Sequence, residues 1–340
     1  MKDIINNLDE EGFTLLHWNA KEGNAEIVQK LIDKGADIEI KDKQNGSTPL
    51  LLACQKGHIN VAKILLQYGA NIRATSFYGS SALHHASRSG NIDLVEMVLK
   101  KGLNVNATNN KGMTSLHSAV KKGHIDIVKK LVKSGANINA KTINENVPIF
   151  YAFPSGKTDM FEFLIENGAN IFAKTKEDNS NCLHQASIKG HVELMKLLIE
   201  KGLDINSRDI NGNTPFLNTC LSGQTKAAQF LLRIGANIED MNKDSYNGLH
   251  ITAFLDGKYA NLFETAKLLL TNGADASVKR KGKSAFHLAV KRRNFHFIKA
   301  LFDHRPTFDI KDDRNENVIE HVLRRNKQDA MKMISYHFHQ

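Results

Sequence analysis

The chain has 340 residues, 41% of them hydrophobic and 24% charged, an ordinary balance for a folded soluble protein. No apolar run approaches the roughly 18–20 residues that a membrane-spanning helix needs, and the opening Met-Lys-Asp-Ile-Ile-Asn-Asn-Leu-Asp-Glu lacks the apolar core of a secretory signal. The net charge of +10 rests on 35 lysines against 11 arginines spread mostly singly along the chain, a pattern that reads as a solvated surface before it reads as a nucleic-acid footprint.

Residues 1–9 read as a short cap. From Gly12-Phe-Thr-Leu-Leu-His-Trp-Asn-Ala20 onward, a capping residue opens a helix of about two turns, a glycine stops it, a second amphipathic helix follows, and Gly35-Ala-Asp-Ile38 leads into a turn. The second unit keeps Thr48-Pro49, a cap followed by a proline at the first helical position, but has Leu51 where the first has His17. The third, Ser81-Ala-Leu-His-His-Ala86, and the fourth are the most regular. In the fourth, Thr114 caps a helix carrying Leu116 and Ala119, Gly123 ends it, and Ile127, Val128, Leu131 and Val132 form one apolar stripe before Gly135. The fifth departs: Val147-Pro-Ile-Phe150 lacks the histidine, and Pro154 is expected to shorten or bend its first helix. Units six and seven open at Asn181 and Thr214, and the eighth, from Asn247, holds about four extra residues near 256–263. The ninth opens at Ser284, and a polar, irregular tenth at Asn317 suits an end cap.

The capping positions are therefore Thr14, Thr48, Ser81, Thr114, Val147, Asn181, Thr214, Asn247, Ser284 and Asn317, separated by 34, 33, 33, 33, 34, 33, 33, 37 and 33 residues. One such unit cannot bury its own stripe and must stack on a neighbour. The recurring Thr-Pro-Leu-His-x-Ala, Gly-His and Gly-Ala-Asn-Ile-Asn elements resemble the ankyrin repeat. The resemblance implies an all-α ankyrin-repeat solenoid of stacked helix-turn-helix units with projecting β-hairpin loops, one domain over 1–340. Its repeats would lie at about 10–42, 43–75, 76–108, 109–141, 142–175, 176–208, 209–241, 242–278 and 279–311, with 312–340 a degenerate cap.

Chemistry-bearing residues mostly read as structural. His17, His84, His117, His184, His250 and His287 recur about 33 residues apart, so no four converge on one metal. Cys54, Cys182 and Cys220 have no pairing pattern and read as reduced packing residues, which points to an intracellular setting. Ser155-Gly-Lys-Thr158 imitates the end of a phosphate-binding loop, but Tyr151 stands where the first glycine belongs. No catalytic set has supporting context, so no enzyme activity, cofactor or metal is expected.

What remains is surface. The resemblance implies partner binding on the concave side, through loop tips and the residues before the inter-helix glycine. Carried over, the tips are Phe13, Phe77, Tyr78, Met113, Ile143, Ile210 and Tyr246. The helix positions include Arg88, Lys121 and Lys122, with Gln55, Lys56 and Lys189 beside them. Aromatics and arginine are enriched among interface hot spots, so these residues point to a protein partner. A second cluster, Lys279, Arg280, Lys281 and Lys283 with Lys291, Arg292 and Arg293, reads as one positive patch for phosphate or an acidic protein surface, as a two-part nuclear import signal, or as solvated surface. Nucleic acid or anionic lipid binding there is the rival to protein binding. Stand-alone proteins of the family include adaptors, inhibitors and effectors that bacteria or protists deliver into host cells. A cytoplasmic monomer is expected, with nuclear or host-cell delivery left open.

Overall fold

The computed structural model describes residues 5–154, 156–255, 262–280 and 282–292, together with 294, 297–298, 300–301, 304, 311–312, 314–317 and 320. Its contacts divide into two compact units, residues 1–170 and 171–340. In unit one the helices are α1 (Leu15–Glu22), α2 (Ala25–Asp33), α3 (Pro49–Lys56), α4 (Ile59–Gln67), α5 (Ala82–Ser89), α6 (Ile92–Lys100), α7 (Ser115–Lys122), α8 (Ile125–Lys133) and α9 (Thr158–Glu166), with a 3-10 turn at Pro148–Tyr151. Unit two holds α10 (Cys182–Lys189), α11 (Val192–Glu200), α12 (Pro215–Leu221), α13 (Thr225–Arg233), α14 (Gly248–Phe254), α15 (Leu262–Thr271) and α16 (Ala285–Arg292).

Local chemistry sets the first helix of each repeat. Thr14, Thr48, Thr114 and Thr214 hold extended backbone and accept an N–H of the first turn, and Asn181 and Asn247 do so with their amide oxygens. Each satisfies an orphan donor worth about 1 kcal/mol. At the far end Gly57 and Gly123 adopt φ of 82° and 74°, the left-handed conformation that only glycine enters without strain, and their N–H groups bond back into the last turn.

The first helices stack one on the next, α1 on α3, α3 on α5 and α5 on α7 in unit one, and α10 on α12, α12 on α14 and α14 on α16 in unit two. Covered on both sides, α3 is buried nearly all round, with Leu50, Leu51, Leu52, Ala53 and Cys54 all buried. The second helices bury one stripe only, such as Leu94, Val95 and Val98 in α6 or Ile127, Val128 and Leu131 in α8. Each fully buried leucine or valine contributes roughly 1.5–3 kcal/mol. Cys54, Cys182 and Cys220 are free thiols in the first helices, and burial pushes Cys54 and Cys220 up to about 12 and Cys182 upward likewise.

In the fifth repeat the first helix shrinks to the 3-10 turn. Pro154 has no N–H to close an α-helical bond and its ring excludes the carbonyl four residues back. Phe153 fills the space left, its ring 4.8 Å from that of Phe161 on α9.

The loops between repeats are tight turns with little strand pairing. Among the described residues the only ladder joins β1 (Lys279–Arg280) to β2 (Lys283–Ser284), with one isolated bridge between Thr75 and Ser81. Elsewhere a side chain at the loop entrance takes up the turn's N–H groups, as Asp209 does from Asn211 and Asn213, both at 2.8 Å. The extra residues expected in repeat eight lie mostly outside the described residues, as does most of the C-terminal cap. At its expected start, Asn317 and Glu320 cap one another at 2.7 and 2.9 Å.

Candidate partner-binding surface

Register within the loop decides which expected tip residues reach the surface. Counting back from the helix-capping residue, Phe77, Ile143 and Ile210 stand at the fourth position and Tyr78 at the third. They are 58%, 65%, 50% and 56% exposed. Phe13, Met113 and Tyr246 stand immediately before the cap, and the structure corrects their placement: Phe13 is buried, while Met113 and Tyr246 are half-buried. Their carbonyls close the turn, accepting from Asp9, Asn109 and Asn242. In the two aromatic cases the ring lies against the first helix. Phe13 packs 5.0 Å from Trp18, and Tyr246 stacks on His250 at 5.8 Å.

The fourth-position residues also carry a backbone ladder between successive loops. In unit one Phe77 donates to the Asn45 carbonyl at 2.8 Å, Asn110 to Tyr78 at 3.0 Å and Ile143 to Lys111 at 3.1 Å. In unit two Ile210 donates to Asp178 at 2.7 Å and Lys243 to Asn211 at 2.9 Å. This approach needs glycine beneath it. A Cβ on Gly46 would fall 2.3 Å from the Phe77 ring, and one on Gly112 would fall 2.8 Å from the Ile143 nitrogen. The ladder fixes the backbone of each tip and leaves the apolar side chain in water.

Below the tips, the motif histidines His17, His84, His117, His184 and His287 tie their first helices to the following loop. His117 is typical: its Nδ1 accepts the Thr114 N–H at 3.0 Å, so the proton sits on Nε2, which donates to the Asn146 carbonyl at 3.2 Å. His84 reaches the Met113 carbonyl at 2.9 Å in the same way, and His184 that of Asn213 at 3.2 Å. Burial holds these rings well below the usual imidazole range, His117 and His250 down to about 4. They are braces, with both nitrogens of His17, His84, His117 and His184 committed to the fold.

Arg88, Lys121 and Lys122 are exposed at the C-terminal ends of α5 and α7. Lys121 lies 5.9 Å from the Tyr151 ring. The second cluster is less free than its sequence suggests. The Arg280 guanidinium covers the Tyr246 ring at 3.8 Å and pairs with Asp244 at 3.5 Å, and Arg292 covers Phe254 at 3.9 Å. Lys279 and Lys291 are exposed and Lys283 half-buried, while Lys281 and Arg293 lie outside the described residues.

A family model described as ankyrin repeats in three copies matches residues 2–76, 73–142 and 144–247. The chain belongs to the ankyrin-repeat family. Stacked ankyrin helix pairs account for the all-α fold, and ankyrin repeats are protein-interaction modules. Over 74 residues the chain is 42% identical to B-cell lymphoma 3 protein homolog of Mus musculus, a stretch covering 22% of this chain and 16% of that protein. It is 40% identical over 70 residues to the probable E3 ubiquitin-protein ligase XBOS32 of Oryza sativa subsp. japonica, covering 20% and 14%. To palmitoyltransferase Hip14 of Drosophila melanogaster it is 32% identical over 80 residues, covering 24% and 13%. The shared stretch is thus under a fifth of each relative.

One exposed aromatic of the ankyrin array escaped the sequence reading. Phe172 is 60% exposed, after Gly168-Ala-Asn-Ile171. The equivalent residues of other repeats are Glu39, Arg73, Asn106, Asn139, Asn206 and Glu239, all polar. Comparing that column instead of the loop tips alone would have found it. No helix among the described residues is long and apolar enough to cross a membrane.

Proposed function

We propose that this chain is a stoichiometric binding protein, an adaptor or scaffold and not an enzyme, that takes a partner protein on the face formed in unit one by the loop tips and the C-terminal ends of the first helices. The observation carrying this reading is the exposure of Phe77, Tyr78 and Ile143 at tips whose backbones are already fixed, and Ile210 is exposed in the same way within unit two. Apolar side chains there add nothing to the core, and a surface ordered before binding loses little conformational entropy when a partner docks. Aromatic anchors of this kind dominate interface energetics. A cytoplasmic site of action goes with the reading.

The rival, nucleic acid or anionic lipid on the cluster from Lys279 to Arg293, has less support, because Arg280 and Arg292 already lie on aromatic rings. Affinity capture from cell extract with the wild-type chain, Phe77→Ala/Tyr78→Ala and Lys279→Glu/Arg292→Glu separates the two. A protein lost only with the tip variant supports the proposal. Loss of nucleic acid or lipid only with the charge variant supports the rival.

A further inference from the structure

Three neighbouring first helices of unit one, α3, α5 and α7, end in a row of cations, whereas α1 ends in Lys21 and Glu22. Lys56 closes α3, Arg88 closes α5, and Lys121 and Lys122 close α7, all in the last helical turn and all exposed. Each stands seven or eight residues after its capping residue, so the stacking of α3, α5 and α7 sets them side by side, one position per repeat. The helix dipole favours cations at helix C-termini, which explains their presence at these ends but not what faces them. Elsewhere in unit one the chain supplies carboxylates: Lys130 of α8 meets Glu96 of α6 at 2.6 Å, and Lys141 meets Glu145 at 3.7 Å. Among the described residues no carboxylate pairs with Lys56, Arg88, Lys121 or Lys122, and no acidic residue occupies the two columns in repeats two to four, where the remaining members are Gln55 and Ser89. In unit two the same columns hold Lys189 on α10 and Lys291 and Arg292 on α16, but α12 and α14 between them offer only Leu221, Ser222, Phe254 and Leu255, so an unbroken row over three neighbouring helices occurs in unit one.

Helices packed side by side lie about 8–10 Å apart. An extended chain in the polyproline II conformation rises about 3.1 Å per residue with three residues per turn, so every third side chain returns to one face about 9 Å further on. A β-strand returns to one face every second residue, about 7 Å on, which drifts out of step with the row. Resting on the partner-binding reading above and deepening it, we infer that the partner presents an acidic segment in polyproline II conformation, with a carboxylate at every third residue, along Lys56, Arg88 and the Lys121–Lys122 pair. Spacing, and not charge alone, is what this row recognises. Bare charge attraction would accept any polyanion, whereas matched carboxylates form charge-assisted hydrogen bonds with each cation in turn.

The test uses the full chain and fluorescence anisotropy with three labelled probes. One is a 12-residue peptide with glutamate at every third position and proline between. The second has the same composition with its four glutamates contiguous, and the third is a 12-nucleotide oligothymidylate. The spaced peptide is expected to bind at least ten-fold more tightly than either of the others, and to lose at least ten-fold with Arg88→Glu/Lys121→Glu/Lys122→Glu. Lys196→Glu, on α11 in unit two, is expected to leave it unchanged. Circular dichroism melts of each variant check that the fold is retained. Equal affinity for the two peptides, tighter binding of the oligonucleotide, or indifference to the triple variant would each overturn the inference. The triple variant is also carried through the capture experiment. A partner lost with Phe77→Ala/Tyr78→Ala but kept by the triple variant leaves protein binding standing and removes the acidic row. A partner kept by both removes both.

Discussion

Arg280 lies 3.8 Å above the centre of the Tyr246 ring while donating to the hydroxyl of that same tyrosine. The side chain is only 15% exposed, and Tyr246 in turn lies 5.8 Å from Phe254, which Arg292 covers. A segment that reads as free positive charge is therefore a packed stack of two arginines and two aromatic rings. Arg280→Ala should lower stability by about 1–2 kcal/mol through lost packing and cation–π contact, and Arg280→Lys by about 1 kcal/mol, since an ammonium cannot stack as a planar guanidinium does. Lys279→Ala, at an exposed neighbour, should change it by less than about 0.5 kcal/mol. Urea unfolding of the three variants checks the ranking.

The tips and the core should separate cleanly. Leu116 is inaccessible in α7, and its replacement by alanine should cost about 2–5 kcal/mol. Tyr78→Ala should shift stability by less than about 0.5 kcal/mol and weaken partner capture. A Tyr78 variant that unfolds the chain would show the ring to be packing, and its assignment to the binding surface would fall.

Gly112 should resist substitution. It holds φ of 71°, and an added Cβ would meet the Ile143 nitrogen at 2.8 Å and the Thr142 backbone at 3.0 Å. Strain and clash add, so Gly112→Ala should cost more than about 1 kcal/mol and loosen the ladder bond from Ile143. Hydrogen exchange at the Ile143 amide reads that bond directly.

Stability should fall in mild acid. Burial holds His17, His84, His85, His117, His184, His250 and His287 below their ordinary value, with Asp42 and Asp209 partly opposing the effect at His17 and His184. A histidine whose folded value is depressed gives stability that is fully present above its unfolded value near 6.5 and is lost as pH falls toward the folded value, about 4 for His85, His117 and His250. For His117 and His250 this comes to roughly 2–3 kcal/mol each across that window. Denaturant midpoints should be flat above about pH 7 and drop between about pH 6.5 and 4. A flat profile down to pH 5 would contradict the neutral, buried imidazoles.

Capping chemistry was legible because it is local. Thr114 and Asn181 announce their helices by residue type and distance from the next glycine, and the structure uses both as read. Pro154 announced the shortened fifth helix for the same reason. The loop tips were legible only in part. Phe77 and Phe13 are the same residue type in similar loops, yet one faces water and the other packs on Trp18, because they stand four and one residues before the cap. That difference belongs to the turn's register, which residue type does not encode. The fate of Arg280 was hidden because Tyr246, its platform, lies 34 residues earlier and meets it only when repeats stack.

The buried thiols turn the array into its own recorder. Cys54, Cys182 and Cys220 are inaccessible, and burial keeps each protonated at neutral pH, so none reacts while its first helix is seated. Each lies in a different repeat, the second, sixth and seventh. A thiol-specific reagent followed by peptide mapping would then time the opening of three separate repeats in one unmodified chain, one in unit one and two in unit two, and rank which end of the molecule yields first.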